Sequence, residues 1–330
     1  MGAAGATSQH CDEFTAIGIL KRVQERSIMK ISHILAGVTA ATLCAIGGGL
    51  QAAQAGTIHN GWNYGIDSFK DGVSGSLGGM FEMYGLGIKQ EGETIYVGID
   101  ARLPITGEAH SGALGGSITW GDLFFNFGGG NLAGQQGNLF AVRFAANNDS
   151  GVTSLGLYQK ASGKNVAAQN SGFASFEAQA DYVKKNGGLP SVGDLSEPEA
   201  RTYFKNASYG VISQAQKVTD SVYQALDSTA LSALGFNLNA ALNGAKPAES
   251  NARGATRQTF GFKFTRTEGM IGDFVAHVFA ECLNDGVAVK GSLEAPKQES
   301  TPEPISLLGL AAVGAAIATR RSGKRVASDR

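Results

Sequence analysis

Three acidic loops carry the side chains with the most chemistry to offer. Asp67 and Asp71 fall in the first, Asn147-Asn148-Asp149 in the second, and Asn284-Asp285 in the third. If these loops meet at one end of a β-fold, Asp67, Asp71, Asp149 and Asp285 make an oxygen-rich candidate site for Ca²⁺, which extracellular proteins bind at weak affinity. The plainer reading, and the preferred one, is that Asp-Gly and Asn-Asp steps make turns. No Asp-x-Asp-x-Asp-Gly loop occurs. A second chemistry, acid–base hydrolysis, would draw on a carboxylate pair such as Glu281 and Asp285, set at glycosidase spacing in a cleft. Trp62 and Trp120 offer flat faces on which a sugar could stack, although aromatics of this size are more commonly buried.

Other familiar arrangements are missing. His59, His110 and His277 have no metal-ligand spacing, and neither His-x-x-x-His nor Cys-x-x-Cys occurs. Gly128 to Gly134 follows a strand without fitting the dinucleotide fingerprint, and Gly163-Lys164 lacks the Walker spacing. There is no Gly-x-Ser-x-Gly elbow. Of the three cysteines, Cys11 and Cys44 precede the expected cleavage point, which leaves Cys282 alone and excludes an internal disulfide. It reads as a small buried hydrophobe. As a nucleophile it would need His277, and an odd spacing along a strand sends the two side chains to opposite faces.

Net charge is −1 and no basic stripe runs through the middle of the chain, so nucleic-acid binding is not expected. With 47 glycines and only 17% charged residues, the composition suits short strands and tight turns. Gly78 to Lys89 alternates, placing Met80, Tyr84, Leu86 and Ile88 on one face; Thr94 to Asp100 repeats the pattern, with Gly92 at the hairpin turn. Further strands are read over Ser117 to Phe127, Leu139 to Ala145, Thr153 to Tyr158, Phe260 to Thr265 and Phe274 to Glu281. Frequent turn signals favour a sandwich or barrel. Phe176, Ala180 and Val183 have helical spacing, and Val218, Val222, Leu226, Ala230 and Leu234 recur every fourth residue. These two runs predict a helical insertion over about 173–235. The fold expected is an antiparallel, jelly-roll-like β-sandwich of residues 56–290 carrying that insertion, with 291–301 as a linker.

Both ends read as addresses. Residues 1–28 form an extension, and Met29 is a second plausible start. Lys30, the apolar stretch from Ile31 to Leu50, and Ala53-Gln54-Ala55 before Gly56 have the order of a secretory signal peptide over 29–55, cut after Ala55. At the other end, Pro302-Glu303-Pro304 precedes an apolar run from Ile305 to Thr319, then Arg320-Arg321. As a helix the run spans only about 23 Å, against a bilayer core of about 30 Å. It suits transient membrane residence, with the arginines on the cytoplasmic side.

This tripartite tail, over 302–325, resembles the PEP-CTERM sorting signal of bacterial proteins. The resemblance implies export through the Sec translocon, cleavage by signal peptidase, transient inner-membrane anchoring and processing by an exosortase at the triplet. Trp62-Asn63-Tyr64-Gly65-Ile66-Asp67, Gly121-Asp122-Leu123-Phe124-Phe125-Asn126-Phe127, Arg143 to Ser150 and Glu281-Cys282-Leu283-Asn284-Asp285-Gly286 are similar to the XDD3 group of exosortase-dependent surface proteins. That group implies no particular activity. The expected function is therefore a secreted, non-enzymatic protein of the cell surface or extracellular matrix, with extracellular polysaccharide as a candidate partner. A calcium- or carbohydrate-binding module is the alternative, and a secreted hydrolase the more distant one.

Overall fold

The computed structural model describes residues 56–205, 207–242 and 256–295. Fourteen strands frame the described residues. Strand β1 (Thr57–His59), β2 (Trp62–Ile66), β3 (Met83–Glu91) and β4 (Thr94–Ala101) follow one another as an antiparallel meander. A small hairpin, β5 (Glu108–Ala109) with β6 (Ser117–Ile118), leads to a second meander of β7 (Leu123–Asn126), β8 (Leu139–Arg143), β9 (Gly156–Lys164) and β10 (Val211–Lys217). Strands β11 (Tyr223–Leu226) and β12 (Gln258–Thr265) return to the first sheet beside β4, while β13 (Gly272–Phe279) and β14 (Gly286–Leu293) complete the second beside β7. The result is two six-stranded antiparallel sheets, ordered β1-β2-β3-β4-β12-β11 and β10-β9-β8-β7-β13-β14.

The sandwich expectation holds, but its jelly-roll detail does not. Strands β1 to β4 and β7 to β10 each stay in one sheet as meanders, with tight turns at Asn60-Gly61 and Gly92-Glu93 and longer loops elsewhere, and the chain changes sheet through the β5–β6 hairpin and after β10 and β12.

Strand alternation explains the core. From the first sheet, Leu86, Ile88, Ile95, Val97, Ile99, Phe262 and Phe264 point inward to meet Leu123, Phe125, Val142, Phe274, Ala276, Val278 and Val289 of the second. Tyr84 departs from the alternation. A β-bulge between Met83 and Gly85 adds a residue opposite β4, and Tyr84 turns out to the far face with Trp62 and Tyr64.

Each sheet also carries an outer layer. Over the first, Phe236, Leu238 and Leu231 pack on Trp62 and Tyr64. Gly87 and Gly98 form the floor there, since a Cβ at Gly98 would stand 2.4 Å from the Phe236 ring. Over the second, helices α1 (Phe176–Lys185) and α2 (Glu197–Phe204) bury Phe176, Ala180, Tyr203 and Phe204 against Phe124, Tyr158 and Phe279. Ser175 caps α1 through the Ala178 amide, and Ser196 with Glu199 forms a capping box on α2.

The insertion is therefore helical only in part. Residues 211–217 and 223–226 are strands, followed by the short helices α3 (Ser228–Ala233) and α4 (Leu238–Ala241). A spacing of four residues is one helical turn and also two strand repeats, so the run from Val218 to Leu234 carried both meanings. The expected 291–301 linker begins too early as well. Gly291, Ser292 and Leu293 pair with Phe274, Asp273 and Gly272, and Leu293 and Phe274 are both buried in the core. Among the described residues no helix is long and apolar enough to cross a membrane.

Candidate functional site

Strand β2 ends by delivering Asp67, whose amide continues the ladder to the Tyr84 carbonyl at 3.1 Å. The chain then loops across to the β13–β14 turn and is held there. The Val73 amide donates to the Asn284 carbonyl at 3.0 Å, and Asn284 Nδ2 returns a bond to the Val73 carbonyl at 2.9 Å. Within this loop Gly72 lies flat on Glu82; a Cβ on it would be 2.5 Å from the Glu82 Cα. Four acids are thereby driven together.

Asp67, Asp71 and Asp285 each present a carboxylate oxygen within 4.8 Å of the other two. All are buried, at 4%, 0% and 2% exposure, and Glu82 beside them is at 0%. Backbone amides hold some of the oxygens: Gly193 on Asp67 at 2.8 Å, Met83 and Gly286 on Asp285 at 2.6 and 2.8 Å, and Gly72 on Glu82 at 3.0 Å. Other oxygens have no hydrogen-bond partner, namely Asp67 Oδ2, both of Asp71, and Glu82 Oε1. Desolvation, reinforced by the neighbouring carboxylates, pushes Asp67, Asp71 and Asp285 well above the usual carboxylate range. Glu82 is pushed up to about 9 by desolvation first and Asp71 second, with Arg102 offsetting only part.

Asp149, the fourth expected member, is not in this group. Its amide and the Thr119 amide and hydroxyl bind Glu281, while its own Oδ2 accepts from Asn170 at 2.8 Å. Next to it, Asp122 accepts from the Ile212 amide at 2.7 Å and Asn148 Nδ2 at 2.8 Å. Arg143 closes the set with Nε on Asn148 and its terminal nitrogens on the Val152 and Ala146 carbonyls. Desolvation raises Asp122 and Glu281, and these hydrogen bonds oppose the shift. The arrangement fastens loops together. Glu281, and Asp285 in the neighbouring cluster, the pair named for hydrolysis, both accept hydrogen bonds from backbone amides.

Trp62 and Trp120 are fully buried, with their indole nitrogens on the Leu234 and Pro104 carbonyls, so neither presents a face to sugar. Cys282 is buried in the core between the sheets, and His277 lies in the separate outer cage of Phe124, Tyr203, Phe204 and Phe279. Burial lowers His277 to about 3, the nearby Tyr209 backbone tempering this slightly. Tyr203, whose hydroxyl stands 3.5 Å from Nδ1, is the titratable group of that cage, and burial pushes it up.

The neutral ring therefore contributes stability that is complete above about pH 6.5 and is lost as pH falls toward 3. Replacing His277 by leucine is expected to cancel about 2–3 kcal/mol of acid destabilisation near pH 4.5. The check is the variant-minus-parent difference in urea unfolding at pH 4.5 and 7.5. An identical difference at both values would contradict it.

Glu82 escaped the sequence reading. Its signal was an acid in the otherwise apolar Met80-Phe81-Glu82-Met83-Tyr84, where alternation placed a charge in a buried strand. Gly56 is the first described residue; Ala53, Ala55, Pro302, Glu303, Pro304, Arg320 and Arg321 lie outside the described residues. Ile58 near one end and Glu294 with Ala295 at the other line the same groove, of about 860 Å³. Strand β14 runs from Asp285 toward this groove, so the chain leaves the sandwich away from the carboxylates, whereas β1 starts with Thr57 beside Tyr64, on the way to Asp67.

Comparison of the chain with known protein families, with curated proteins and with solved structures finds no match.

Proposed function

We propose that this chain is an exported, non-enzymatic surface protein whose β-sandwich is displayed in the envelope or extracellular matrix after exosortase processing. The observation that carries the reading is the ordered tail Pro302-Glu303-Pro304, apolar run, Arg320-Arg321, paired with the Ala53-x-Ala55 signal ahead of Gly56. One feature of the fold supports it. Strand β14 finishes at Leu293, shortly before the triplet, which leaves a polar stretch for an enzyme to grip.

In this reading the Sec translocon and signal peptidase act first. The apolar segment then pauses in the inner membrane, and exosortase cuts near the triplet. Proline on both sides of Glu303 keeps that peptide extended, the form a protease-like groove accepts. Extracellular polysaccharide remains the proposed matrix partner. Against a hydrolase stands the inward commitment of Glu281 and Asp285 to backbone amides.

The test is Glu303→Ala combined with Pro304→Ala in the native host. Membrane-bound precursor is expected to accumulate, with at least a tenfold loss of the surface-released form. Unchanged release would overturn the sorting role.

A further inference from the structure

We propose that Asp67, Asp71 and Asp285, with Glu82 beside them, form a buried site for a single divalent cation, and that the ion is calcium. The reading goes beyond the sorting proposal and does not depend on it. It starts from polar atoms that nothing pairs. Buried polar groups are hydrogen-bonded in the great majority of cases, yet four carboxylate oxygens from Asp67, Asp71 and Glu82 meet here without a partner. Glu82 is the independent pointer. It stands on the approach to β3, is fully buried, ties one oxygen to the Gly72 amide and leaves Oε1 unpaired, close enough for its charge to act on all three aspartates.

Protons alone do not resolve the cluster. Asp67 and Asp285 stand close enough to share one. Asp71 has both oxygens unpaired, and Ser68 and the Ser191 amide temper its charge without pairing either oxygen. Arg102 faces Glu82 and answers one charge of four. Uncompensated, a buried carboxylate costs several kcal/mol, and a divalent cation removes that cost for several at once.

The ligand set is all oxygen and anionic, which selects a hard ion over zinc or copper. Calcium accepts oxygens at about 2.3–2.6 Å, so two of its ligands can stand about 5 Å apart. The 4.8 Å limit on the three aspartates fits one such sphere. Magnesium prefers to keep several waters, for which side chains at 0–4% exposure leave little place. An ion here would clamp the end of β2, the following loop and the β13–β14 turn, joining the two sheets at one point.

The experiment is calcium binding to the full chain after chelation, by isothermal titration, with thermal unfolding in parallel. One ion per chain is expected. At a hundredfold excess over Kd the melting temperature should rise by about 5–10 °C. Asp71→Asn and, independently, Glu82→Gln should each weaken binding at least tenfold; should one fail to fold, the other gives the result. Asp149→Asn should keep the full calcium shift. Absence of binding at about 10 mM calcium, roughly tenfold above the weakest dissociation constants of extracellular sites, would overturn the proposal. So would an undiminished shift in both cluster variants, and a magnesium shift as large as calcium's would overturn the choice of ion.

Discussion

Replacing Glu281 by alanine is expected to destabilise the sandwich by about 3–5 kcal/mol, lowering its melting temperature by about 10 °C or more. Glu281 accepts three hydrogen bonds: the Thr119 amide at 2.9 Å, the Thr119 hydroxyl at 2.7 Å and the Asp149 amide. Truncation leaves two backbone donors without a partner near the middle of the network, each costing about 1–3 kcal/mol. The lost bonds connect three segments distant in sequence: the lead into β7, the loop after β8 and the turn after β13. Glutamine keeps one acceptor oxygen, and Glu281→Gln should cost about half as much. Urea unfolding of the two variants beside the parent decides the matter. A loss under about 1 kcal/mol for alanine would mean that water takes over the amides, and the network would not be holding the loops.

Gly121→Ala is expected to cost about 3 kcal/mol or more through a clash that no side chain can relieve. A Cβ at this position would lie 2.1 Å from the Gly210 carbonyl oxygen and 2.9 Å from that of Phe279. Both neighbours are backbone. The Gly121 amide bonds the Phe279 carbonyl at 2.8 Å, and the adjacent Asp122 amide bonds Gly210 at 2.9 Å, so the close approach is built into the hydrogen bonding. Gly134→Ala is the matched comparison, since its Cβ would meet only Asn131 Oδ1 at an ordinary 3.5 Å. It should fall within about 0.5 kcal/mol of the parent. Similar losses at both positions would show that the 121–210 approach is looser than described.

Much of the β core was legible because alternation is a direct consequence of strand geometry. Phe260, Phe262 and Phe264 read as one buried face and are one, and Gly92 marked a hairpin that does turn there. Failures arose where a local pattern had two physical meanings. The four-residue spacing from Val218 to Leu234 fits helix and strand alike, and pairing of β11 with β12 decided for strand over 223–226. Tyr84 obeyed alternation until a bulge, which sequence spacing does not register, moved it across. Gly291 to Leu293 looked like linker because its single apolar residue, the buried Leu293, is too little to set an alternation.

The acidic site was partly visible for a related reason. Turn-forming residues announce loops, and three of the four aspartates named from those loops converge. Asp149 went to a neighbouring network, since which loop tips touch depends on strand order, and the meander order was not readable from turn signals. Glu82 sits on the approach to β3, where an acid looked like an interruption of the pattern. Its meaning emerged only beside Gly72 and Asp71.

The most direct measurement for the central claim is mass-spectrometric mapping of both ends of the protein recovered from its native surface fraction. A chain that starts at Gly56 and lacks everything from Ile305 onward is the expected result, because export and exosortase cleavage each leave one of those ends. A surface chain still carrying Arg320 and Arg321 would contradict it, and would make the apolar run a permanent anchor.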